Sequence, residues 1–271
     1  MLIAQLTDLH IRPRGKAACR VVETNMFAAR AFRAVTDLRD SPDAVVLTGD
    51  LTANGLASEY EVLAVLLRRL PIPVFVIPGN HDQRGPLRQC LGHLPLGRSD
   101  AQFVQYVVED FPVRLVMLDT LVPGATHGDL CSERLQFLDR ALASAPERPT
   151  IVAMHHPPFP CGIAHMDRIA LRDPAAFAEV IGRHPQVERI ICGHAHRPIF
   201  CRLGHTVASI APSIAHQVEL TLEPDAPSAF VFEPPAFHLH YWTPDTGLVT
   251  HTAYVEAFGG PFPFLSDDEP A

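Results

Sequence analysis

Short apolar runs alternate with segments of helical period through the first two thirds of the chain. Runs such as LIAQL and VFVIP have the length and the β-branched content of buried strands. The segments between them place apolar residues three or four positions apart, as an amphipathic helix does. This alternation is typical of an α/β fold with a mostly parallel sheet covered by helices. The pattern predicts strands at LIAQL, AVVLT, VFVIP, LVMLD, TIVAM and RIIC, and helices at 24–39, 58–70, 132–144 and 174–183.

The pattern changes after about residue 197. From there, short strand-like pieces such as TVASI and AFHLHYW are separated by proline-rich turns, and no helical period remains. We therefore expect an α/β domain at 1–197, a β-rich extension at 198–258 and a loosely held tail at 259–271. Upstream, the pair Ser58 and Glu61 is interpreted as a capping box at the start of the second helix.

Polar clusters follow the predicted strands of the first domain. In open α/β sheets, ligands bind at the carboxyl ends of the strands, so we expect these clusters to meet in one crevice. The clusters contain Asp8 and His10 in TDLH, Asp50 in TGD, Asn80 and His81 in GNHD, His155 and His156 in MHHPP, and His194 and His196 in CGHAH.

The residue types in these clusters indicate a metal site. Asp8 and His10 are two positions apart, and in an extended segment such side chains point the same way. Two carboxylates, four histidines and one amide exceed what one zinc-like ion binds, but they suit two ions if Asp50 bridges them. Any one cluster alone is equally typical of surface polarity or of a turn. An interpretation in which all five clusters are purely structural is disfavoured, because a fold without a ligand there has no reason to bury so many acids and imidazoles along one edge.

Composition limits the class of protein. At 271 residues and 47% hydrophobic content the chain can bury a large core, and its net charge of −8 argues against a long nucleic acid as partner. No apolar run is long enough to span a bilayer and no export signal is evident, so we expect a cytoplasmic protein without membrane contact. The six cysteines form no C-x-x-C pair, and we expect reduced structural thiols.

The motifs D-x-H, GD, GNHD, HH and GH-x-H resemble those of the calcineurin-like metallophosphoesterase family over roughly residues 1 to 200. The fuller pattern adds GDLTANG, CGHAHRP and PSIAHQ, and it is most similar to bacterial class III cyclic nucleotide phosphodiesterases and related glycerophosphodiesterases. The resemblance implies a four-layer αββα sandwich as the catalytic domain at 1–197, followed here by the β-rich extension as a cap and oligomer contact.

The resemblance also implies a ligand set that spacing alone does not assign. Two metal ions are expected, and their identity among Fe, Mn, Zn and Co stays open because mixed nitrogen and oxygen ligands suit all four. We further expect Gly79 to permit a sharp turn, and Asp82 and His156 to hold ligand imidazoles in the right tautomer. By resemblance, one ion is held by Asp8, His10, Asp50 and His196, and the other by Asp50, Asn80, His155 and His194.

The expected reaction is hydrolysis of a small phosphodiester, a cyclic nucleotide or a glycerophosphodiester, by direct attack of a metal-bound hydroxide. His81 is the first candidate for the acid that protonates the leaving oxygen, and His216 of PSIAHQ is the second. We name Asp50 as catalytic too, because it bridges the ions.

A phosphomonoesterase is the main alternative. Phosphoprotein phosphatases of this family place an arginine after GD, whereas GDLTANG has Asn54 and Gly55 there, which favours a diester. Arg12 and Arg14 keep the monoesterase open because they follow His10 closely. A non-catalytic scaffold is disfavoured because every ligand position is filled, and a nuclease is disfavoured by the acidic composition. The apolar C-terminal strands predict a homo-oligomer.

Overall fold

The computed structural model describes residues 1–98 and 101–264, with six helices and thirteen strands in that part of the chain. The helices are α1 (Thr24–Thr36), α2 (Ala57–Leu67), α3 (Arg84–Leu91), α4 (Ser132–Ala143), α5 (Ala164–Asp167) and α6 (Pro174–Gly182). The strands are β1 (Leu2–Leu6), β2 (Ala44–Leu47), β3 (Val74–Val76), β4 (Tyr106–Val108), β5 (Arg114–Met117), β6 (Thr150–Ala153), β7 (Val187–Cys192), β8 (Ile199–Leu203), β9 (Thr206–Ile210), β10 (Gln217–Val218), β11 (Phe230–Val231), β12 (Ala236–Thr243) and β13 (Gly247–Tyr254).

Two mixed sheets form the centre of the molecule. The first has the strand order β13-β12-β1-β2-β3, and β1, β2 and β3 run parallel. The second has the order β4-β5-β6-β7-β9-β8, with β5, β6, β7 and β9 parallel. Strands β10 and β11 pair separately. The expected parallel strands are therefore present, but they are divided between two sheets.

Helices cover the outer face of each sheet. Phe32 of α1, Leu63 of α2 and Leu87 of α3 pack into a core with the first sheet and with inward residues of the second, among them Ile151. Leu138 of α4 and Phe177 of α6 pack on the other side of the second sheet. The order helix, sheet, sheet, helix confirms the predicted αββα sandwich.

Residues after 197 complete both sheets. Strand β9 pairs with β7 in parallel, and β12 pairs with β1 in antiparallel register, Gln5 facing His238. The boundary at 197 therefore does not separate two independently packed sheets. The function of this segment as a cap stays a prediction, and of the predicted tail, the part from 265 onward lies outside the described residues.

Two local expectations were wrong. Helix α2 begins at Ala57, so Ser58 lies inside it, and the carboxylate that caps it is Glu59, which accepts a hydrogen bond from the Leu56 amide (3.3 Å). Helix α3 was missed because its sequence contains Gly85 and Pro86. Both occupy the first turn of α3, where a proline needs no amide partner.

Candidate metal centre

The polar clusters of both sheets meet at one edge of the sandwich. Those after β1, β2 and β3 come from the first sheet, and those after β6 and β7 come from the second. The loops after β1 and β2 continue to pair beyond the strands, since the amides of Asp8 and His10 donate to the carbonyls of Gly49 and Asp50 (3.1 and 2.9 Å). This pairing fixes the backbone from which the first ligands project.

The backbone at these loops is left-handed rather than extended. Asp8, His10, His194 and His196 have φ of 56°, 45°, 75° and 52°, so the expected extended geometry was wrong, although Asp8 and His10 still point to one group. Such values are uncommon outside glycine and concentrate at functional sites. The two histidines of GHAH separate, and each joins a different group of possible ligand atoms, whereas Asp8 and His10 remain in one group.

The first group contains Asp8, His10 and His196, all buried. The Nε2 atoms of His10 and His196 lie 3.1 Å apart, and His196 Nε2 lies 3.5 Å from Asp8 Oδ1. Burial lowers the pKa of His196 to about 4, so its imidazole is neutral near pH 7. Neutral imidazoles crowded against a carboxylate offer lone pairs to a common cation.

The second group contains His155, His194 and Asn80 around the other side of Asp50. His155 Nε2 lies 3.2 Å from Asn80 Oδ1 and 3.4 Å from Asp50 Oδ1. His194 Nε2 is buried and has no hydrogen-bond partner among the described residues. A buried nitrogen without a partner is costly in a folded protein, and a ligand bound at this position would supply the partner.

Asp50 lies between the two groups. Its Oδ2 is 3.7 Å from His10 Nε2, while its Oδ1 faces His155 and accepts a hydrogen bond from the His81 amide (2.9 Å). Burial opposes ionisation of Asp50, but His155 and the other imidazoles around it hold its pKa well below the usual range. The carboxylate is therefore charged, and each oxygen faces one group.

Glycine at position 79 permits this arrangement. The expected sharp turn is present, since the Asp82 amide donates to the Gly79 carbonyl (3.2 Å), but Gly79 is not left-handed, so the turn alone does not require glycine. A Cβ at this position would overlap the Oδ1 and the amide of Asp50 and would lie 2.8 Å from His155 Cε1. The residue allows the GNHD loop to approach Asp50 closely.

Backbone carbonyls orient the imidazoles. The Nδ1 of His155 faces Thr48 O (2.8 Å), and the Nδ1 of His196 faces His216 O (2.9 Å). A carbonyl only accepts, so each Nδ1 carries a proton, and each Nε2 is the ring nitrogen that faces the other groups of the site. Sequence reasoning missed these contacts, because a carbonyl leaves no signal in residue type.

Asp82 has a different role from the one expected. Its carboxylate contacts no imidazole and instead accepts hydrogen bonds from the amides of Leu51, Thr52 and Gly79 and from Tyr60 OH, at 2.8–3.1 Å. It thereby joins the GD loop to the GNHD loop. The positions of the Asp50 carboxylate and of the Asn80 amide depend on this joint.

His156 also departs from expectation. It lies next to His155 and His194, but its Nδ1 faces Thr120 Oγ1 (2.8 Å) and its Nε2 faces Thr126 O (3.3 Å). Both ring nitrogens are thus used within the chain, and neither holds a ligand imidazole. Sequence reasoning missed Thr120, although it directly follows the predicted strand LVMLD. Polar residues directly after a strand are the signal that revealed the other clusters.

The two candidate acids differ in their surroundings. The side chain of His81 is 44% exposed, and its Nδ1 faces Ala53 O (2.9 Å). Asp50 raises the pKa of His81, whereas burial lowers the pKa of His216 to about 3. His81 is thus the one favoured in its protonated, donating form.

The ligand atoms open into a cavity of about 670 Å³. His10, Asp50, His194 and His196 form its base, and His216 lines it as well. A second cavity of about 680 Å³ meets the first along Ala53, Asn54, Asn80 and His81. The centre therefore has space on two sides for the groups of a substrate.

Comparison with known proteins identifies the family. The model of the calcineurin-like phosphoesterases matches residues 1–198. The chain belongs to the calcineurin-like phosphoesterase family. It is 36% identical over 268 residues to a probable glycerophosphodiester phosphodiesterase, GpdQ, of Arcobacter nitrofigilis, covering 98% of each chain. It is 31% identical over 197 residues to the 3′,5′-cyclic adenosine monophosphate phosphodiesterase CpdA of Escherichia coli, covering 73% of this chain and 70% of that relative.

Solved structures support the fold. A dimetal phosphatase of Danio rerio superimposes with a TM-score of 0.66 at 15% identity, covering 94% of this chain and 99% of the other. At this identity the likeness concerns architecture alone. Among the described residues, no helix is long and apolar enough to cross a membrane.

Proposed function

We propose that this protein hydrolyses small phosphodiesters at a dinuclear metal centre. The observation that carries the proposal is the position of Asp50, whose two oxygens face two separate groups of buried ligand atoms. The protein is a metal-dependent phosphodiesterase of the calcineurin-like family, and the relatives named as glycerophosphodiester and cyclic nucleotide phosphodiesterases support this function.

The donor set fits two ions. Two ligands held at about 2.1 Å from one ion lie roughly 3–3.5 Å apart, and the separation of His10 and His196 Nε2 is 3.1 Å. His194 Nε2, which has no partner in the described chain, is a further donor. We propose Asp8, His10, Asp50 and His196 for one ion, and Asp50, Asn80, His155 and His194 for the other. Iron, manganese, zinc and cobalt all suit such ligands.

When bound, the two ions supply water of lowered pKa and neutralise charge on the phosphoryl group. The protein itself orients the reaction. Asp50 and the carbonyls of Thr48 and His216 hold the ligand imidazoles, and Asp82 fixes the loops. His81 protonates the leaving oxygen from the junction of the two cavities, and its raised pKa supports this role over His216. His216 lines the cavity and remains the second candidate.

The contacts of the loop after GD favour a diester. Asn54 Nδ2 donates to Glu59 Oε1 (2.8 Å), and the same carboxylate pairs with Arg12 Nη1 (3.2 Å). Arg12 lines the first cavity but is thereby partly neutralised, and Arg14 lines neither cavity. The loop after GD thus places no arginine where a phosphatase clamps a dianion, although Arg20 also lines the first cavity. Two cavities meeting at His81 suit the two substituents of a diester.

Paired substrates test the function. Bis(p-nitrophenyl) phosphate and p-nitrophenyl phosphate release the same product, and we expect kcat/KM for the diester to be higher by at least about tenfold, or roughly 1.4 kcal/mol. The Asp50→Ala variant should lose metal and activity together, whereas Asn80→Ala should lose less of both. Equal rates on the two substrates would favour the monoesterase instead.

We also propose that the extension roofs the site and forms a homo-oligomer contact. His216 and Val218 line the catalytic cavity, which supports the roof. Strand β13 is an edge strand of its sheet, and Val249 and Tyr254 on it are exposed, which supports pairing with another copy. A cytoplasmic location stays a prediction.

A further inference from the structure

A small cavity lies at the N-terminus of α4, apart from the metal ligands. It has a volume of about 360 Å³, and its lining includes Phe103, His127, Cys131, Arg134 and Arg172. We name it the Cys131 pocket. Cys131 is partly exposed and is the N-cap residue of the 12-residue helix Ser132–Ala143.

The Cys131 pocket carries an excess of positive charge. Arg84, Arg134 and Arg172 line it, while Asp129 is its one acidic lining residue among those described. Arg134 Nη2 binds Asp129 (3.0 Å), and Arg84 is neutralised by Asp119. The exposed side chain of Arg172 makes no hydrogen bond or ion pair with any residue in the described ranges, so it is available to an anion from solution.

The surroundings of Cys131 favour its thiolate form. Partial burial opposes ionisation, but the amides of Arg134 and Glu133 and the Arg134 guanidinium lower the pKa of the thiol. Arg134 is 4% exposed, and its Nε has no hydrogen-bond partner within the described chain. A thiol at a helix N-terminus, next to the buried guanidinium of Arg134 and inside a positive cavity, is the environment of a reactive cysteine.

We propose that Cys131 is a modification site, a reactive thiol that forms mixed disulfides with small acidic disulfides. The helix N-terminus and Arg134 activate the sulfur, and Arg172 attracts the carboxylates of the reagent. Glutathione disulfide, which carries a net negative charge, is a probe of this class.

The reaction is a thiol–disulfide exchange. The Cys131 thiolate attacks one sulfur of the disulfide, a new S–S bond forms to Cys131, and the original S–S bond breaks. The released half departs as a thiolate and takes a proton from water. The disulfide reagent is the only co-reactant, and electrons balance because one disulfide replaces another.

Competition among the cysteines of the same molecule provides the first test. Cys19 is more exposed than Cys131, but burial of its sulfur raises its pKa. With limiting iodoacetamide at pH 7 and peptide mass spectrometry, we expect Cys131 to be alkylated at least about threefold faster than Cys19. Faster labelling of Cys19 than of Cys131, which would follow the greater exposure of Cys19, would overturn the proposal.

Reagent charge provides the second test. Glutathione disulfide and the cationic disulfide cystamine are compared on the purified full-length protein, with the rates at Cys19 as internal reference. We expect Cys131 to prefer glutathione disulfide, and Arg172→Ala, a change at an exposed residue, to reduce that preference about threefold. Cys131→Ser should remove only the adduct on that peptide. If Cys131 reacts without regard to charge, the acidic-disulfide assignment is wrong.

Discussion

Replacement of Gly79 by alanine should disable the metal centre without adding or removing a ligand. The new Cβ would overlap the Oδ1 and the amide of Asp50, and it would lie 2.8 Å from His155 Cε1, inside the 3.4 Å at which ordinary contacts begin. Relief requires movements of about 1 Å in the Asp50 carboxylate or in the GNHD loop. A misplacement of that size near reacting groups costs about 10²-fold in rate.

The assay combines metal analysis with kinetics. We expect Gly79→Ala to bind fewer metal ions per chain and to lose about 10²-fold or more in kcat/KM on bis(p-nitrophenyl) phosphate. Gly182→Ala is the matched control, because a Cβ there meets nothing within 4 Å and its φ is ordinary for L residues. Circular dichroism and thermal unfolding verify that both variants fold. If folded Gly79→Ala kept two ions and activity within threefold of the parent, the close-approach argument would be refuted.

Three further predictions concern other parts of the molecule. His81→Ala should keep both metals and lose about 10²-fold in kcat on diesters with poor leaving groups, but less with p-nitrophenolate; an equal loss on both removes the acid role. Burial and the charge of Arg189 lower the pKa of His238 to about 4. Below about pH 6.5 the folded state therefore binds fewer protons than the unfolded state, so the free energy of unfolding falls as the pH approaches 4. In urea unfolding of the metal-free proteins between pH 7 and pH 5, the free energy of unfolding of His238→Phe should therefore fall by about 2 kcal/mol less than that of the parent. Identical pH profiles would contradict this. Light scattering should show a homo-oligomer, and a monodisperse monomer would exclude the contact proposed at β13.

Much of the site was predictable because its polar residues come directly after the strands in the sequence. A buried apolar run followed by Asp8 or His155 is visible in sequence, and parallel strands bring their carboxyl ends to one edge. The grouping of the ligands was not predictable from spacing. Left-handed backbone occurs in both pairs, yet Asp8 and His10 join one group while His194 and His196 join two, so the grouping depends on packing that forms only in the folded chain.

The residues that sequence reasoning placed wrongly act through the backbone. Asp82 binds amides rather than imidazoles, and Thr48 contributes a carbonyl that any residue type offers equally. Helix α3 was hidden because Gly85 and Pro86 disfavour a helix in general but are tolerated in a first turn. In each case the local pattern was sound, and a contact made only in the folded chain decided the outcome.

The C-terminal strands bear directly on the catalytic site. Strand β12 pairs with β1, the strand that leads to Asp8 and His10, and β9 pairs with β7, which leads to His194. Without these strands both β1 and β7 would have an open edge, and their ends would lose the support that holds the ligand loops. His196 also depends on the carbonyl of His216, which lies beyond residue 197. Both sheets that carry the site thus include strands from beyond residue 197, and the roof is best tested by substituting residues such as Val218 within the whole chain.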